Sequence, residues 1–73
     1  MNDRAPLSER DLLVLDIERR RWKYPALKEK AIRDQLDINA TRYYQILNAL
    51  LDHPEALATY PMLINRLRES LPE

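Results

Sequence analysis

Apolar positions along this chain recur with the period of a helix, and no segment shows the two-residue alternation of a strand. The clearest stretch is residues 36–50. At about 100° per residue, Tyr43, Ile46, Leu47 and Leu50 fall on one side, at the i, i+3, i+4, i+7 spacing of a buried stripe. Thr41, Tyr44, Gln45 and Asn48 repeat that spacing on the opposite side. Upstream, residues 25–36 read as a second helix with Leu27, Ala31, Ile32 and Leu36 on its inner side. Asp37-Ile38-Asn39 makes the turn between the two, and Asn39 can cap the third helix. A first helix is predicted from about residue 9 to residue 22 or 23. Ser8 and Asp11 open it with an acidic variant of the capping box, and Tyr24-Pro25 stops it. Its apolar residues Leu12, Leu13, Val14, Leu15, Ile17 and Trp22 cover much of the circumference, which predicts a central, heavily buried helix. Asp52-His53-Pro54-Glu55 reads as another cap with proline in the first turn, opening a short helical turn through Ala58. After Tyr60-Pro61 a last helix is predicted over residues 61–71, with Leu63, Ile64, Leu67 and Leu71 on one narrow stripe.

These elements predict an all-α fold: a small trihelical helix-turn-helix bundle with an additional C-terminal helix. Residues 1–7 read as a short flexible arm and residues 8–73 as a single domain. The apolar residues that would fix the angle between the second and third helices are Ile32, Leu36, Ile38, Tyr43 and Ile46. Two positions depart from the usual motif. Asp37 stands where glycine is common, in a chain that has none, and Arg33 stands where a small residue lets the helices approach. Asp tolerates the left-handed turn conformation better than most residues. Arg33 must direct its head outward.

At 73 residues there is room for one small core, so nearly every apolar residue must pack or the chain must self-associate. The absence of cysteine excludes disulfides and thiolate metal sites and suits a reducing cytosol. The first residues lack the apolar run of a signal peptide, and no stretch approaches the roughly 20 apolar residues of a membrane helix. A cytoplasmic protein is expected, nucleoid-associated if it binds DNA.

Twelve basic and twelve acidic residues cancel, but not evenly along the chain. Residues 1–18 hold two basic and five acidic side chains, whereas residues 19–42 hold eight basic against three acidic. The positive charge therefore surrounds the predicted motif, where phosphate contacts would be made. For Arg19, Arg20 and Arg21 an alternative is equally open: Asp16 and Glu18 neutralise them locally.

An ordinary solvated helix face is built from Lys and Glu. The face of Thr41, Tyr44, Gln45 and Asn48, with Arg42 on its flank, instead carries side chains suited to base edges in a DNA groove. Gln45 and Asn48 could bind adenine through paired hydrogen bonds, and Arg42 could reach guanine or a phosphate. Thr41 and Tyr44 suit phosphate oxygens near the helix N-terminus or the thymine methyl, and Asn39, the cap of this helix, is counted with the DNA-binding residues. Lys28, Lys30 and the Arg19–Lys23 cluster (Arg19, Arg20, Arg21, Lys23) would contact phosphates. The expected function is a small DNA-binding transcriptional regulator or accessory factor acting on double-stranded DNA. The alternative is a protein-interaction module that uses the same helical face, for example on RNA polymerase or a larger regulator. The stripe of the last helix either packs back on helices 1 and 3 or forms a homodimer interface. His53, the single histidine, fits a helix start better than a metal or catalytic role. Trp22 and Tyr24 fit core closure better than base stacking. No phosphate loop is possible without glycine, and neither a reaction nor a cofactor is expected.

Several strings carry a resemblance to a known family. They include Ser8-Glu9-Arg10-Asp11, Trp22-Lys23-Tyr24, Ala31-Ile32-Arg33, Ala40-Thr41-Arg42-Tyr43-Tyr44-Gln45, Pro54-Glu55-Ala56-Leu57-Ala58 and Pro61-Met62-Leu63. Over residues 7 to about 69 the chain resembles an actinobacterial family of small proteins of unknown function, and Ala-Thr-Arg-Tyr-Tyr-Gln is the most specific string. The resemblance implies a helix-turn-helix-like fold and an actinobacterial cytosolic source, with no reaction or ligand attached. That family commonly has glycine where this chain has Asp37.

Overall fold

Capping residues and prolines set most of the helix boundaries. Ser8 Oγ accepts the Asp11 N–H at 3.0 Å while the Asp11 carboxylate accepts the Ser8 N–H at 3.3 Å, closing the capping box. Asn39 Oδ1 accepts the Arg42 N–H at 2.8 Å. Pro25 and Pro54 stand in first turns, where their missing N–H costs nothing. The computed structural model, which describes residues 6–70, accordingly has five helices and no strand among the described residues. They are α1 (Glu9–Arg19), α2 (Pro25–Leu36), α3 (Ala40–Leu50), α4 (Pro54–Thr59) and α5 (Pro61–Ser70). This is the small all-α bundle read from the sequence. Residues 1–5 of the predicted arm and Leu71 of the last stripe lie outside the described residues. Leu7, at the end of that arm, packs against the core.

The turn between α2 and α3 is made at Asp37, whose φ of 55° and ψ of 42° are left-handed. Its N–H donates to the Arg33 carbonyl at 2.9 Å, so the turn closes α2 without glycine. Asp37 is the only non-glycine residue with positive φ among the described residues.

One boundary differs from the prediction. α1 ends at Arg19, not at residue 22 or 23, and Arg20 is already extended, with ψ at 148°. The cause is Trp22. Its indole Nε1–H donates to the Ile17 carbonyl at 2.8 Å, a backbone group that a longer α1 would have bonded itself. Trp22 thereby closes the core from outside the helix.

α1 packs against both α2 and α3, α2 against α3, and α4 against α5. Val14, Leu15, Ile17, Ile32, Tyr43, Ile46, Leu47 and Leu50 fill the centre, and Leu51, Ala56, Leu63 and Ile64 extend it toward the C-terminal pair. α1 is not buried all round, because Leu12 is exposed. Leu27, predicted on the inner side of α2, is 48% exposed. At about 100° per residue it stands roughly 140° from the buried Ile32, whereas Lys28 stands only about 40° away. The residue that α2 turns inward at this level is the lysine.

On α5 the stripe is used within the chain: Leu63 and Ile64 are buried and Leu67 packs against the core. These three positions of the stripe therefore serve the chain's own core. Arg68 reaches from the same helix to the Leu51 carbonyl at the end of α3, with Nη2 at 2.6 Å and Nε at 3.1 Å. A cation at a helix C-terminus meets both the free carbonyl and the negative end of the helix dipole.

Candidate nucleic-acid interface on α3

Tyr43 anchors α3. Its ring is fully buried and its hydroxyl donates to Glu18 Oε1 of α1 at 2.7 Å, with the Val14 carbonyl at 3.3 Å. The same Glu18 oxygen accepts from Lys28 Nζ of α2 at 2.8 Å. Lys28 Nζ also donates to the Tyr44 hydroxyl at 3.3 Å and stands over both tyrosine rings, whose centroids are 5.0 Å apart in an edge-to-face pair. One carboxylate therefore ties three helices together. Burial, then the Glu18 hydrogen bond and charge, push the Tyr43 phenol well above its usual value. Burial works against the Lys28 ammonium, but the Glu18 bond and charge, with the Tyr44 bond, outweigh it and hold the amine above the usual lysine range.

With Tyr43, Ile46, Leu47 and Leu50 turned inward, the opposite face of α3 is open. Thr41, Gln45 and Asn48 are exposed there. Thr41 and Asn48 make no side-chain hydrogen bond among the described residues, and Gln45 only accepts from Arg42 Nη1 at 3.5 Å. Asn39 uses its side chain as the cap. Tyr44 sits on the flank rather than at the centre of the face, leaning on Tyr43 and Lys28 and 45% exposed.

The basic residues divide into two groups. Arg19 and Arg20 both pair with Asp16, at 2.7 and 3.0 Å, so local neutralisation holds for these two. On α1, Asp16 is roughly half a turn of the circumference away from the Val14–Glu18 edge that meets Tyr43. Their cluster therefore faces away from α3. Lys28 belongs to Glu18, and Lys30 pairs with Asp34 one turn along α2, at 2.6 Å. Arg21, Lys23, Arg33 and Arg42 make no ion pair among the described residues; the Lys23 ammonium lies over the Tyr24 ring at 5.6 Å. Glu18 was read as a partner for the neighbouring arginines and instead pairs across helices. A buried tyrosine hydroxyl demands a partner, which was the available signal.

Two concavities flank α1. A groove of about 240 Å³ runs between its first turn and α3, with Arg10, Arg42, Gln45 and His53 on its walls. A more apolar one of about 540 Å³ lies among Leu12, Leu13 and Tyr60, with Glu9 and Asp16 at its rim. His53 caps α4, its Nδ1 accepting the Glu55 N–H at 3.1 Å, which bears out its reading as part of a helix start. No group of His, Asp and Glu side chains among the described residues is arranged to hold a metal. No helix among them is long and apolar enough to cross a membrane.

Comparison with curated proteins and with solved structures finds no match to either. One family model, described as a protein of unknown function (DUF3263), matches residues 6–70. Covering nearly the whole chain, that match makes it a member of the DUF3263 family of proteins of unknown function.

Proposed function

We propose that this protein binds double-stranded DNA through α3 and acts as a small transcriptional regulator or accessory factor. The observation that carries this reading is the outer face of α3. Thr41, Gln45 and Asn48 are exposed and uncharged, Gln45 touched only by the 3.5 Å bond from Arg42 beside it, while Tyr43, Ile46 and Leu50 hold the helix from behind. The left-handed Asp37 turn between α2 and α3 supports a helix-turn-helix arrangement, as the actinobacterial resemblance implies. Phosphate contacts fall first to Arg42, Arg21 and Lys23, which no carboxylate holds. Lys28, Lys30, Arg19 and Arg20 would have to leave their partners to join them.

Fluorescence anisotropy on labelled duplexes at low and moderate salt tests this. Binding should weaken with salt, and Asn48→Ala should lose about 1–3 kcal/mol on a preferred site while leaving non-specific binding unchanged. Absence of binding at low salt would sink the proposal. A second reading, docking of the same face on a protein, is favoured by Tyr44, which offers a half-exposed aromatic ring there. A partner captured after nuclease treatment and lost on Tyr44→Ala would favour that reading.

A further inference from the structure

The groove between α1 and α3 has a composition that neither the α3 face nor the core accounts for. Its walls carry Arg10 from the first turn of α1, Arg42 and Gln45 from α3, and His53 from the α3–α4 corner. Ala49 follows Gln45 by one turn and, having no side chain beyond Cβ, leaves the space between the arginines and His53 open. The buried Ile46 and Leu50 form an apolar floor.

Both arginines are nearly uncommitted. Arg42 makes one side-chain bond, to a neutral amide at the 3.5 Å limit. Arg10 makes one 3.4 Å contact with Asp11, and its side chain is 52% exposed. Elsewhere Arg19, Arg20, Lys28 and Lys30 are held by carboxylates at 2.6 to 3.0 Å. Asp11 also lines the groove, but its other oxygen serves the Ser8 N–H in the capping box. His53 accepts through Nδ1, which leaves Nε2 as its donor nitrogen. Gln45 accepts through its oxygen and retains its amide donors. The groove thus gathers two guanidinium forks and two further donors around an open space of about 240 Å³, ample for a phosphate group, with a single carboxylate in opposition.

We infer that this groove is a phosphate-binding site, in which Arg10 and Arg42 clamp one phosphate group and Gln45 and His53 orient it. The planar fork of arginine matches phosphate oxygens in pairs, and the apolar floor strengthens those contacts by excluding water. Two sources supply that chemistry. One is the backbone of a duplex lying along α3, which rests on the function proposed above. The other is a phosphorylated small molecule, which is independent of it.

Amide and arginine side-chain NMR on the intact protein separates the sources, using a duplex DNA, a nucleoside monophosphate and inorganic phosphate as probes at low salt. At least one probe should shift the Arg10, Arg42 and His53 signals, and Arg10→Gln should weaken that probe about tenfold, the loss of one charge-assisted contact. Arg66→Gln on α5 removes equal charge from another exposed position and should leave the affinity within about twofold. Shifts at the groove and at Thr41 and Asn48 with duplex alone assign the phosphate to DNA. Groove shifts with the small probes and no duplex binding support the site and remove the DNA reading. Duplex shifts confined to Thr41 and Asn48, with Arg10 and His53 unmoved by either small probe, overturn the groove and leave that reading standing. A groove silent to all three probes overturns it as well.

Discussion

Tyr43 is the side chain on which three helices converge. Its hydroxyl and the Lys28 ammonium share one oxygen of Glu18, so removing either takes a donor from that carboxylate. Tyr43→Phe should therefore cost about 1–2 kcal/mol, since Glu18 keeps its desolvation and loses a donor. Urea denaturation measures this, and an unchanged midpoint would count against the network. The same residues set the response to alkali. Folding raises both the Tyr43 phenol and the Lys28 ammonium above their ordinary values. The unfolded chain therefore releases these protons first, and their contribution to stability is complete below about pH 10 and declines as the pH rises through that range. In an ultraviolet titration one of the four phenols should ionise only as helix is lost. Tyr43→Phe should remove that step.

At the scale of elements, the α2–α3 turn is the place where backbone and side chain disagree. Asp37 holds a left-handed conformation that costs an L-residue about 1–2 kcal/mol, less for Asp than for most. Asp37→Gly should raise stability by about 0.5–1 kcal/mol, after the greater entropy of an unfolded glycine is offset. Asp37→Val should lower it by more than that. A thermal melt in which glycine destabilises would contradict the account. Local signals of this kind explain what could be read in advance. Ser8 with Asp11, Asn39, and the prolines at 25, 54 and 61 place the starts of all five helices, and the stripe of α3 gives its inner face. The end of α1 was not legible, because Arg20 to Lys23 are unobjectionable in a helix. What stops it is Trp22 returning to Ile17, a tertiary choice. Leu27 was assigned inward by residue type, although helical geometry favours Lys28, and a lysine is accepted there only because Glu18 comes from another helix. On the candidate interface, the residue types of the α3 face were readable. Which cations stay free was not, because that depends on carboxylates brought close by folding.

Taken as a molecule, the chain is a three-helix unit with a two-helix extension. α4 and α5 pack on each other, and Ala56, Leu63 and Ile64 join them to Leu50 and Leu51. Arg68 fastens the far end by capping α3 at the Leu51 carbonyl. Arg68→Ala should lower stability by about 1–2 kcal/mol and speed hydrogen exchange in α5 before α1. Equal acceleration in every helix would show that the extension does not open separately. The internal pairing of cations has a different consequence, for the ions around a bound duplex. Each phosphate neutralised by the protein liberates condensed counterions, and affinity falls with salt in proportion to their number. Eight basic residues lie between positions 19 and 42, and four of them already sit on carboxylates. Of the seven cations read as phosphate contacts only Arg21, Lys23 and Arg42 then exchange a solvated charge for a phosphate, so the logarithmic salt slope should be about −3 rather than the about −6 that seven contacts would give. Self-neutralisation would then make the complex comparatively tolerant of salt and shift the weight of recognition from charge to the uncharged side chains of α3.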